Sequence, residues 1–327
     1  MGERFESAAR ELEGAGYELI ERIGSGGMGT VYKAKHTKTG NMVAIKLMRS
    51  DLSPRRTKRL WREAVAGSRL EHPNICKVLD VGNTVSNQPF LIMELLLGRS
   101  LADALGRDQA LEVAGAVTYT KDILAGVSAA HDAGILHRDL KPANIFLAIE
   151  NNKEMIKLVD FGVCLPQHED VTRITKIGGM VGTIRYMSPE QLRGIREIGP
   201  PADLFAVGVV LYRMLTGSMP FRAKSREELL KKILAHDVTP MTEHRMDIPK
   251  SVDSVVMKAL HPDPRERFKT AAEFTDALAL CERMRSAEVL VGSSSQQDEN
   301  ATLALRQTAP QTPSAKGAVP TLSLIHI

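Results

Sequence analysis

The pattern of apolar and polar residues divides the chain into two regions. From Tyr17 to about Glu94, short runs rich in β-branched and aromatic residues alternate with turn residues, and they predict strands over 17–23, 31–34 and 42–47. A stretch rich in Arg, Glu, Leu and Ala interrupts them and predicts a helix over 54–70. From Leu101 onward, apolar residues recur at helical spacing and predict helices over 113–133, 202–216, 226–235, 252–260 and 271–285. A small sheet-rich part followed by a larger helical part is an α+β layout.

The two ends of the chain differ from this patterned region. Residues 1–16 are interpreted as an N-terminal extension, and residues 286–321, rich in Ser, Gln, Thr, Pro and Ala, as a disordered tail or linker. The last six residues, 322–327, match what one reading frame of a widely used sequencing adapter encodes. We interpret them as an artefact to be left out of fold reasoning, and we then expect the natural gene product to be longer.

Composition narrows the class of protein further. Hydrophobic residues make up 43% and charged residues 25% of the 327 residues, as in ordinary globular proteins. The net charge of +4 is too weak to predict nucleic-acid binding. Cys76, Cys164 and Cys281 lack metal-ligand spacing, which favours a reducing compartment. No apolar run reaches the ~20 residues that span a bilayer, so we expect a cytoplasmic domain without a membrane span in this fragment.

A glycine-rich turn is the first pattern that indicates chemistry. Ile23-Gly24-Ser25-Gly26-Gly27-Met28-Gly29 lies between two predicted strands, and glycines let backbone N–H groups approach phosphate oxygens. Glycine-rich hairpins are common, and dinucleotide folds use a similar spacing. A dinucleotide site requires a helix directly after the glycines, whereas Thr30–Ala34 is patterned as a strand.

A lysine and a glutamate come next. Lys46 ends the apolar run Val43-Ala44-Ile45, and Glu63 lies in the predicted helix over 54–70. The lysine is either a solvated strand end or a fixed cation for phosphate oxygens, in which case Glu63 is the natural carboxylate to hold it.

The strongest pattern is His137-Arg138-Asp139-Leu140-Lys141-Pro142-Ala143-Asn144. It suits a rigid loop in which Asp139 accepts a hydrogen bond from an attacking hydroxyl and Asn144 offers an oxygen to a hard cation. Asp160-Phe161-Gly162 follows the apolar run 156–159, and a carboxylate at that place is a good Mg²⁺ ligand.

A further pattern, Ser188-Pro189-Glu190, closes the segment that Asp160 opens. We predict Arg267 as the buried partner of Glu190.

In this order and spacing, the motifs resemble the eukaryotic-like protein kinases, and most of all the bacterial serine/threonine kinases. The resemblance covers residues 17–285 and implies a two-lobed fold, with a small β-rich N-lobe over about 17–94 that holds one key helix. A larger helical C-lobe follows over about 99–285, and ATP binds in the cleft between the lobes. It implies transfer of the γ-phosphate of ATP to Ser and Thr hydroxyls of proteins, with Mg²⁺ or Mn²⁺ as cofactor.

The resemblance also implies roles position by position. Lys46 contacts the α- and β-phosphates and is held by Glu63, Asp139 is the catalytic base, and Asn144 and Asp160 bind the metal. Lys141, which contacts the transferred phosphate, and Thr183, which shapes the acceptor pocket, point to the serine/threonine branch. The nucleotide site is implied to comprise Ile23, Gly24, Ser25, Gly26, Gly27, Met28, Gly29, Val31, Ala44, Lys46, the gatekeeper Met93, the hinge residues Glu94 to Leu96, and Phe146.

Regulation is implied as well. Arg138 before Asp139 marks kinases that are activated by phosphorylation between Asp160 and Glu190, and Thr175 and Thr172 are the candidate acceptors. The implied partners are protein substrates and a second copy of the chain, in a transient homodimer for trans-autophosphorylation. Relatives often continue into a linker, a membrane helix and a sensor domain, so we expect the full-length protein to be membrane-anchored beyond the fragment.

Two departures and two alternatives accompany this interpretation. Ser188 replaces a common alanine, and Gly67 replaces a larger side chain four residues after Glu63, at a helix cost of roughly 1 kcal/mol. A pseudokinase that binds nucleotide without catalysis is the main alternative, although such chains typically lose Lys46, Asp139 or Asp160. The other alternative is an interaction protein that acts through its tail.

Overall fold

The computed structural model describes residues 2–26, 29–49, 67, 70–161, 183–195 and 197–284, except the side chains of residues 2–5 and 183. Within this part of the chain, a five-stranded antiparallel sheet has the order β1-β2-β3-β5-β4. Its strands are β1 (Tyr17–Gly26), β2 (Gly29–His36), β3 (Met42–Met48), β4 (Val78–Asn83) and β5 (Pro89–Glu94). The three predicted strands are therefore confirmed, and β1 and β2 extend into the glycine-rich turn.

A helix that the sequence pattern did not predict covers one face of this sheet. Helix α1 spans Gly2–Glu13, in the region interpreted only as an extension. Its residues Ala8 and Leu12 are buried, and they share one apolar cluster with side chains of the strands, namely Tyr32, Ala34, Val43, Ile45, Leu47, Phe90 and Ile92. We call this cluster the outer face of the sheet. Since side chains alternate along a strand, the opposite, inner face carries Val31, Ala44, Lys46, Leu91 and Met93.

The second region is mainly helical, as predicted. Its elements are β6 (Gly98–Ser100), α2 (Leu101–Leu105), α3 (Val113–Asp132), a 3₁₀ turn (Pro142–Asn144), β7 (Ile145–Glu150), β8 (Lys153–Leu158), a 3₁₀ turn (Thr183–Tyr186), α4 (Pro189–Arg193), α5 (Pro200–Thr216), α6 (Arg226–Leu234), a 3₁₀ turn (Met241–Glu243), α7 (Lys250–Ala259) and α8 (271–284). Strands β6, β7 and β8 form a small antiparallel sheet. Asn151 and Asn152 have positive φ, which allows the tight turn between β7 and β8.

Helix α5 is the centre of the helical region. Leu204, Phe205 and Tyr212 are fully buried, and α5 contacts both α3 and α7. A helix that is apolar all round must be enclosed by other elements. Gly208 allows this enclosure, because a Cβ there would lie 2.7 Å from the Cβ of Ala259 in α7.

The predicted helix over 54–70 lies almost entirely outside the described residues. Gly67 is helical and buried, and Leu70 follows the helix and is buried as well. The tail over 286–321 and the last six residues also lie outside the described part. Among the described residues, no helix is both long and apolar enough to cross a membrane.

Candidate active site

The inner face of the five-stranded sheet brings several predicted nucleotide-site residues together. Val31 pairs with Lys46 between β2 and β3, and Ala44 pairs with Met93 between β3 and β5. Ala44 and Lys46 are buried, whereas Val31 and Met93 are partly exposed. Two apolar walls, a cation and the proposed gatekeeper thus lie next to each other on one surface.

The glycines of the turn between β1 and β2 have different steric surroundings. A Cβ on Gly29 would lie 2.2 Å from the carbonyl oxygen of Leu47 in β3, so the sheet itself requires glycine there. A Cβ on Gly24 would make only ordinary contact with Val31, and one on Gly26 meets no described heavy atom within 4 Å. Packing against the described residues therefore does not explain why Gly24 and Gly26 are glycines.

Lys46 and Asp160, which are far apart in sequence, meet in the structure. Lys46 Nζ lies 2.7 Å from Asp160 Oδ1, and the Lys46 side chain is only 7% exposed. Burial by itself would raise the pKa of Asp160, but the adjacent Lys46 ammonium holds it below its ordinary value. Asp160 is therefore a carboxylate at neutral pH, as a metal ligand must be.

The loop over 137–144 carries three of the predicted site residues, and both Lys141 and Asn144 contact Asp139. Lys141 Nζ donates hydrogen bonds to both carboxylate oxygens of Asp139, at 3.1 and 2.8 Å. Asn144 Nδ2 donates to the backbone oxygen of Asp139 at 2.8 Å and to its Oδ2 at 3.0 Å. Because the amide nitrogen of Asn144 donates to Asp139, its Oδ1 lies on the opposite side of the amide group, away from Asp139.

Asn144 and Asp160, the two predicted metal ligands, are joined through the backbone. The N–H of Val159 donates to the carbonyl oxygen of Asn144 at 3.0 Å, and Asp160 is the next residue. Asp160 has a φ of 63°, a left-handed conformation that costs a non-glycine residue energy. Such strained residues are concentrated at functional sites, and Arg138, with a φ of 65°, is a second example in this loop.

Asp203 anchors the backbone of this loop, and it is not among the site residues predicted from the sequence. Its carboxylate accepts hydrogen bonds from the backbone N–H groups of His137, at 2.8 Å, and Arg138, at 2.7 Å. His131 Nε2 lies 2.8 Å from the same carboxylate. Burial would raise the pKa of Asp203, but the hydrogen bonds that its carboxylate accepts from His131 and from the backbone of Arg138 lower it overall. In the sequence, the feature that could have indicated this function is that Asp203 is an acidic residue in the first turn of an otherwise largely apolar helix, α5.

The ring of His137 connects the loop to the strand before Asp160. Burial lowers the pKa of His137, so the ring is neutral at pH 7. Its Nε2 lies 3.0 Å from the carbonyl oxygen of Val159, so this nitrogen carries the proton, and Nδ1 accepts the N–H of Asp139 at 3.4 Å. The ring also lies 4.6 Å from the ring of Phe161. The loop and the Asp160 segment are thus positioned together.

The predicted ion pair of Glu190 and Arg267 is confirmed. Arg267 Nη1 and Nη2 lie 2.8 and 3.0 Å from the two carboxylate oxygens of Glu190. Arg267 is 1% exposed, and its guanidinium also donates to backbone carbonyls, including that of Pro262. Ser188 caps helix α4 in a capping box with Gln191, whose side chain donates to the carbonyl oxygen of Arg138 at 2.7 Å. The segment after residue 183 is therefore fixed to the catalytic loop.

The remaining predicted site residues are exposed or partly exposed, or they lie outside the described part of the chain. Ile23 and Ser25 are exposed, and Leu96 and Phe146 are partly exposed. Glu94 ends β5, and its carboxylate contacts Lys157. The predicted site residues outside the described part are Gly27, Met28, Glu63, Thr172, Thr175 and the side chain of Thr183.

Comparison with known proteins agrees with this geometry. The model of the protein kinase domain family matches residues 17–278. The serine/threonine-protein kinase pkn3 of Myxococcus xanthus is 36% identical over 276 residues, covering 82% of this chain and 50% of that protein. A probable serine/threonine-protein kinase PknB of Corynebacterium glutamicum is 35% identical over 276 residues, covering 82% of this chain and 42% of that protein. The chain thus spans about half the length of these curated relatives or less.

A solved structure shows the same fold. The kinase domain of PknI from Mycobacterium tuberculosis superposes with a TM-score of 0.63 at 24% identity, covering 81% of this chain and 96% of that one. The expected two-lobed fold is therefore confirmed. The curated relatives that it resembles are bacterial serine/threonine kinases, and with the family model matching most of its length, the chain belongs to the protein kinase family.

Proposed function

We propose that the chain transfers the γ-phosphate of ATP to Ser and Thr hydroxyls of proteins, itself included, in signal transduction. The observation that carries this proposal is the joint position of Asp139, Lys141 and Asn144 in one hydrogen-bonded loop. The backbone of Asn144 joins that loop to the segment directly after β8, in which Asp160 contacts Lys46. Phosphoryl transfer needs mainly positioning and charge neutralisation, and these residues supply both.

Each residue has a defined task in this proposal. Asp139 accepts the proton of the attacking hydroxyl, whose oxygen bonds to the γ-phosphorus while the bond from that phosphorus to ADP breaks. Lys141 lies on the carboxylate of Asp139, where its cation can also meet the transferred phosphate. Lys46 neutralises phosphate oxygens farther along the nucleotide. Val31, Ala44 and Met93 line the inner face of the sheet, where the adenine is expected.

The donor set also fits Mg²⁺. Asp160 is a carboxylate and Asn144 presents an amide oxygen, and hard cations bind through one or two such oxygens together with substrate phosphates. When bound, the ion neutralises phosphate charge during transfer. Mn²⁺ accepts the same oxygen donors, so the protein residues alone do not select between the two ions.

Regulation and partners extend the same proposal. A phosphate on Thr175 or Thr172 would bring roughly two negative charges that can pair with Arg138 beside the catalytic base. The partners are protein substrates, and a second copy of the chain during trans-autophosphorylation. Site mapping of fully active protein by mass spectrometry should find phosphate on one of these threonines, and an active preparation without it would refute this part.

One experiment tests the function itself. The purified chain is incubated with Mg²⁺, γ-labelled ATP and a protein substrate, and transfer is compared with that of Asp139→Asn. Removing the proton acceptor should lower the rate by about 10²-fold or more, while nucleotide affinity stays within about twofold. Lys46→Met should also lower the rate severely. The exposed Asp276→Asn serves as the matched control.

The outcomes separate the alternatives. Wild-type turnover in Asp139→Asn would overturn the assignment of the base. Nucleotide binding without any transfer by the wild-type chain would favour a pseudokinase instead.

A further inference from the structure

A buried lysine in β8, to which the sequence motifs assign no role, pairs with two carboxylates. Lys157 is 7% exposed, and its Nζ lies 3.0 and 3.2 Å from the carboxylate oxygens of Glu94. The same nitrogen lies 3.1 Å from Glu150 Oε1 in β7. Burial would lower the pKa of Lys157, but the hydrogen bonds that it donates to the carboxylates of Glu94 and Glu150 raise it overall, so the side chain is a cation at neutral pH.

Glu94 lies where three elements meet. It is the last residue of β5 and pairs with Val43 of β3, and the connection over 95–97 to the helical region follows it. Its Oε1 also accepts the backbone N–H of Lys77 at 2.8 Å, and its own N–H donates to the carbonyl oxygen of Lys77 at 3.0 Å. The carboxylate of Glu94 is therefore turned toward β4 and β8, which leaves the backbone of 94–96 as the part that can face adenine.

Lys157 connects this backbone to the strand that leads to the metal ligand. Asp160 follows it by three residues, and Leu158 exchanges backbone hydrogen bonds with Asn74 and Cys76, at 2.8 and 2.9 Å. Strand β8 is thus held against the segment before β4 by its backbone and against the end of β5 by Lys157. Side chains in this arrangement can hold the adenine-facing backbone and Asp160 in one fixed geometry.

The energetics favour a specific role for the pair. The lysine end of this group is buried and its two carboxylates are partly exposed, so removal of Lys157 leaves two negative charges that solvent screens only in part. Without Lys157, the carboxylates of Glu94 and Glu150, 27% and 41% exposed, would repel each other and turn toward solvent. Because Glu94 is the first residue of the hinge, such a turn displaces the adenine-binding backbone.

We propose that Lys157 is a positioning residue for ATP, which fixes the hinge backbone through the carboxylate of Glu94. This inference rests on the proposed function, because it concerns the nucleotide of that same site. In this proposal Lys157 raises the affinity for ATP and does not take part in the chemical step, because it does not touch the reacting atoms.

The test compares Lys157→Met with wild type in steady-state kinetics and in direct binding of ADP. Methionine keeps the unbranched stem and removes the charge. We expect KM for ATP and the dissociation constant for ADP to rise about fivefold to tenfold, since a tenfold change needs only the energy of one modest charged interaction. The value of kcat at saturating ATP and the KM for the protein substrate should stay within about twofold.

Further variants separate positioning from a general loss of stability. Lys157→Arg keeps the cation and should restore most of the ATP affinity. Glu94→Gln keeps the shape of the hinge side chain and should raise KM for ATP in the same direction, which preserves the test if Lys157→Met does not fold. Lys232→Met removes a partly exposed lysine that lies 3.6 Å from Asp237 and is the matched control, with wild-type KM.

The inference is wrong if Lys157→Met is less stable but has unchanged KM for ATP and unchanged ADP affinity, or if Lys157→Arg behaves like Lys157→Met. It is also wrong if kcat falls and KM does not change. A wild-type chain that transfers no phosphate would refute the proposed function, yet ADP binding would still decide the role of Lys157.

Discussion

At the residue scale, two glycines of the same motif differ in how strongly packing requires a residue without a side chain. Gly29 is required by the sheet, since a Cβ there meets the carbonyl of Leu47 at 2.2 Å. Gly26 has no such neighbour among the described residues. A motif that is uniform in sequence thus combines one position that the packing of the sheet requires to be glycine with another that the described packing does not constrain.

Substitutions at these two glycines should therefore affect different properties, namely the stability of the fold at Gly29 and the KM for ATP at Gly26. We expect Gly29→Ala to lower the free energy of unfolding by about 2 kcal/mol, because the added methyl forces β2 and β3 apart. We expect Gly26→Ala to change stability by less than about 0.5 kcal/mol and to raise KM for ATP severalfold. Urea unfolding and initial-rate kinetics measure both. A stable Gly29→Ala, or a Gly26→Ala with unchanged KM, would contradict this distinction.

At the element scale, the main addition to the expected fold is helix α1. It precedes residue 17, where the family model begins to match, yet Leu12 is completely buried against the outer face of the sheet. Glu11 of the same helix accepts the N–H of Ser86 in the turn between β4 and β5 at 3.1 Å. The helix therefore belongs to the folded unit rather than to a loose extension.

Removal of the Leu12 side chain should destabilise the protein. We expect Leu12→Ala to lower the free energy of unfolding by about 2–4 kcal/mol, from lost apolar burial and the cavity left between α1 and the sheet. Glu13→Ala, at an exposed position on the same helix, is the control and should cost less than about 0.5 kcal/mol. Equal stability of the two variants in urea would mean that α1 does not pack on the sheet in solution.

At the scale of the whole molecule, buried titratable groups beneath the catalytic loop connect stability to pH. The pKa of His137 is lowered by burial, so the unfolded chain binds this proton at a higher pH than the folded chain does. The stabilisation is therefore complete above the unfolded value of about 6.5 and is lost as the pH falls toward the folded value. Asp203, whose pKa is also lowered, acts in the same direction below about pH 4.

We accordingly expect the free energy of unfolding to decrease as pH falls from 7.5 to 5.5. His137 contributes at most about 1.4 kcal/mol per pH unit, the slope for one proton. In His137→Phe, this dependence should become smaller. The burial of His236 lowers its pKa too and leaves a residual slope. Denaturant unfolding across this range tests the prediction, and an unchanged slope in His137→Phe would assign the effect to other groups.

The sequence by itself determined that a strand-rich region precedes a helical one, where the longer helices lie, and the residue types of the candidate site. Periodicity reports which positions of a strand or helix are buried, and motifs such as 137–144 need no tertiary information, because their spacing lies within one loop. The ion pair of Glu190 and Arg267 was also within reach, since a buried charge demands a partner.

Only the tertiary structure decided which distant groups meet. Three contacts join residues that are separated by tens of positions in the sequence. They are the packing of α1 on the sheet, the hydrogen bonds from the loop over 137–144 to Asp203, and the ion pair of Lys157 with Glu94. In sequence, each of these residues is an ordinary charge or apolar side chain. What each one does depends on the group that packing places against it, and packing is a property of the whole fold rather than of any local pattern.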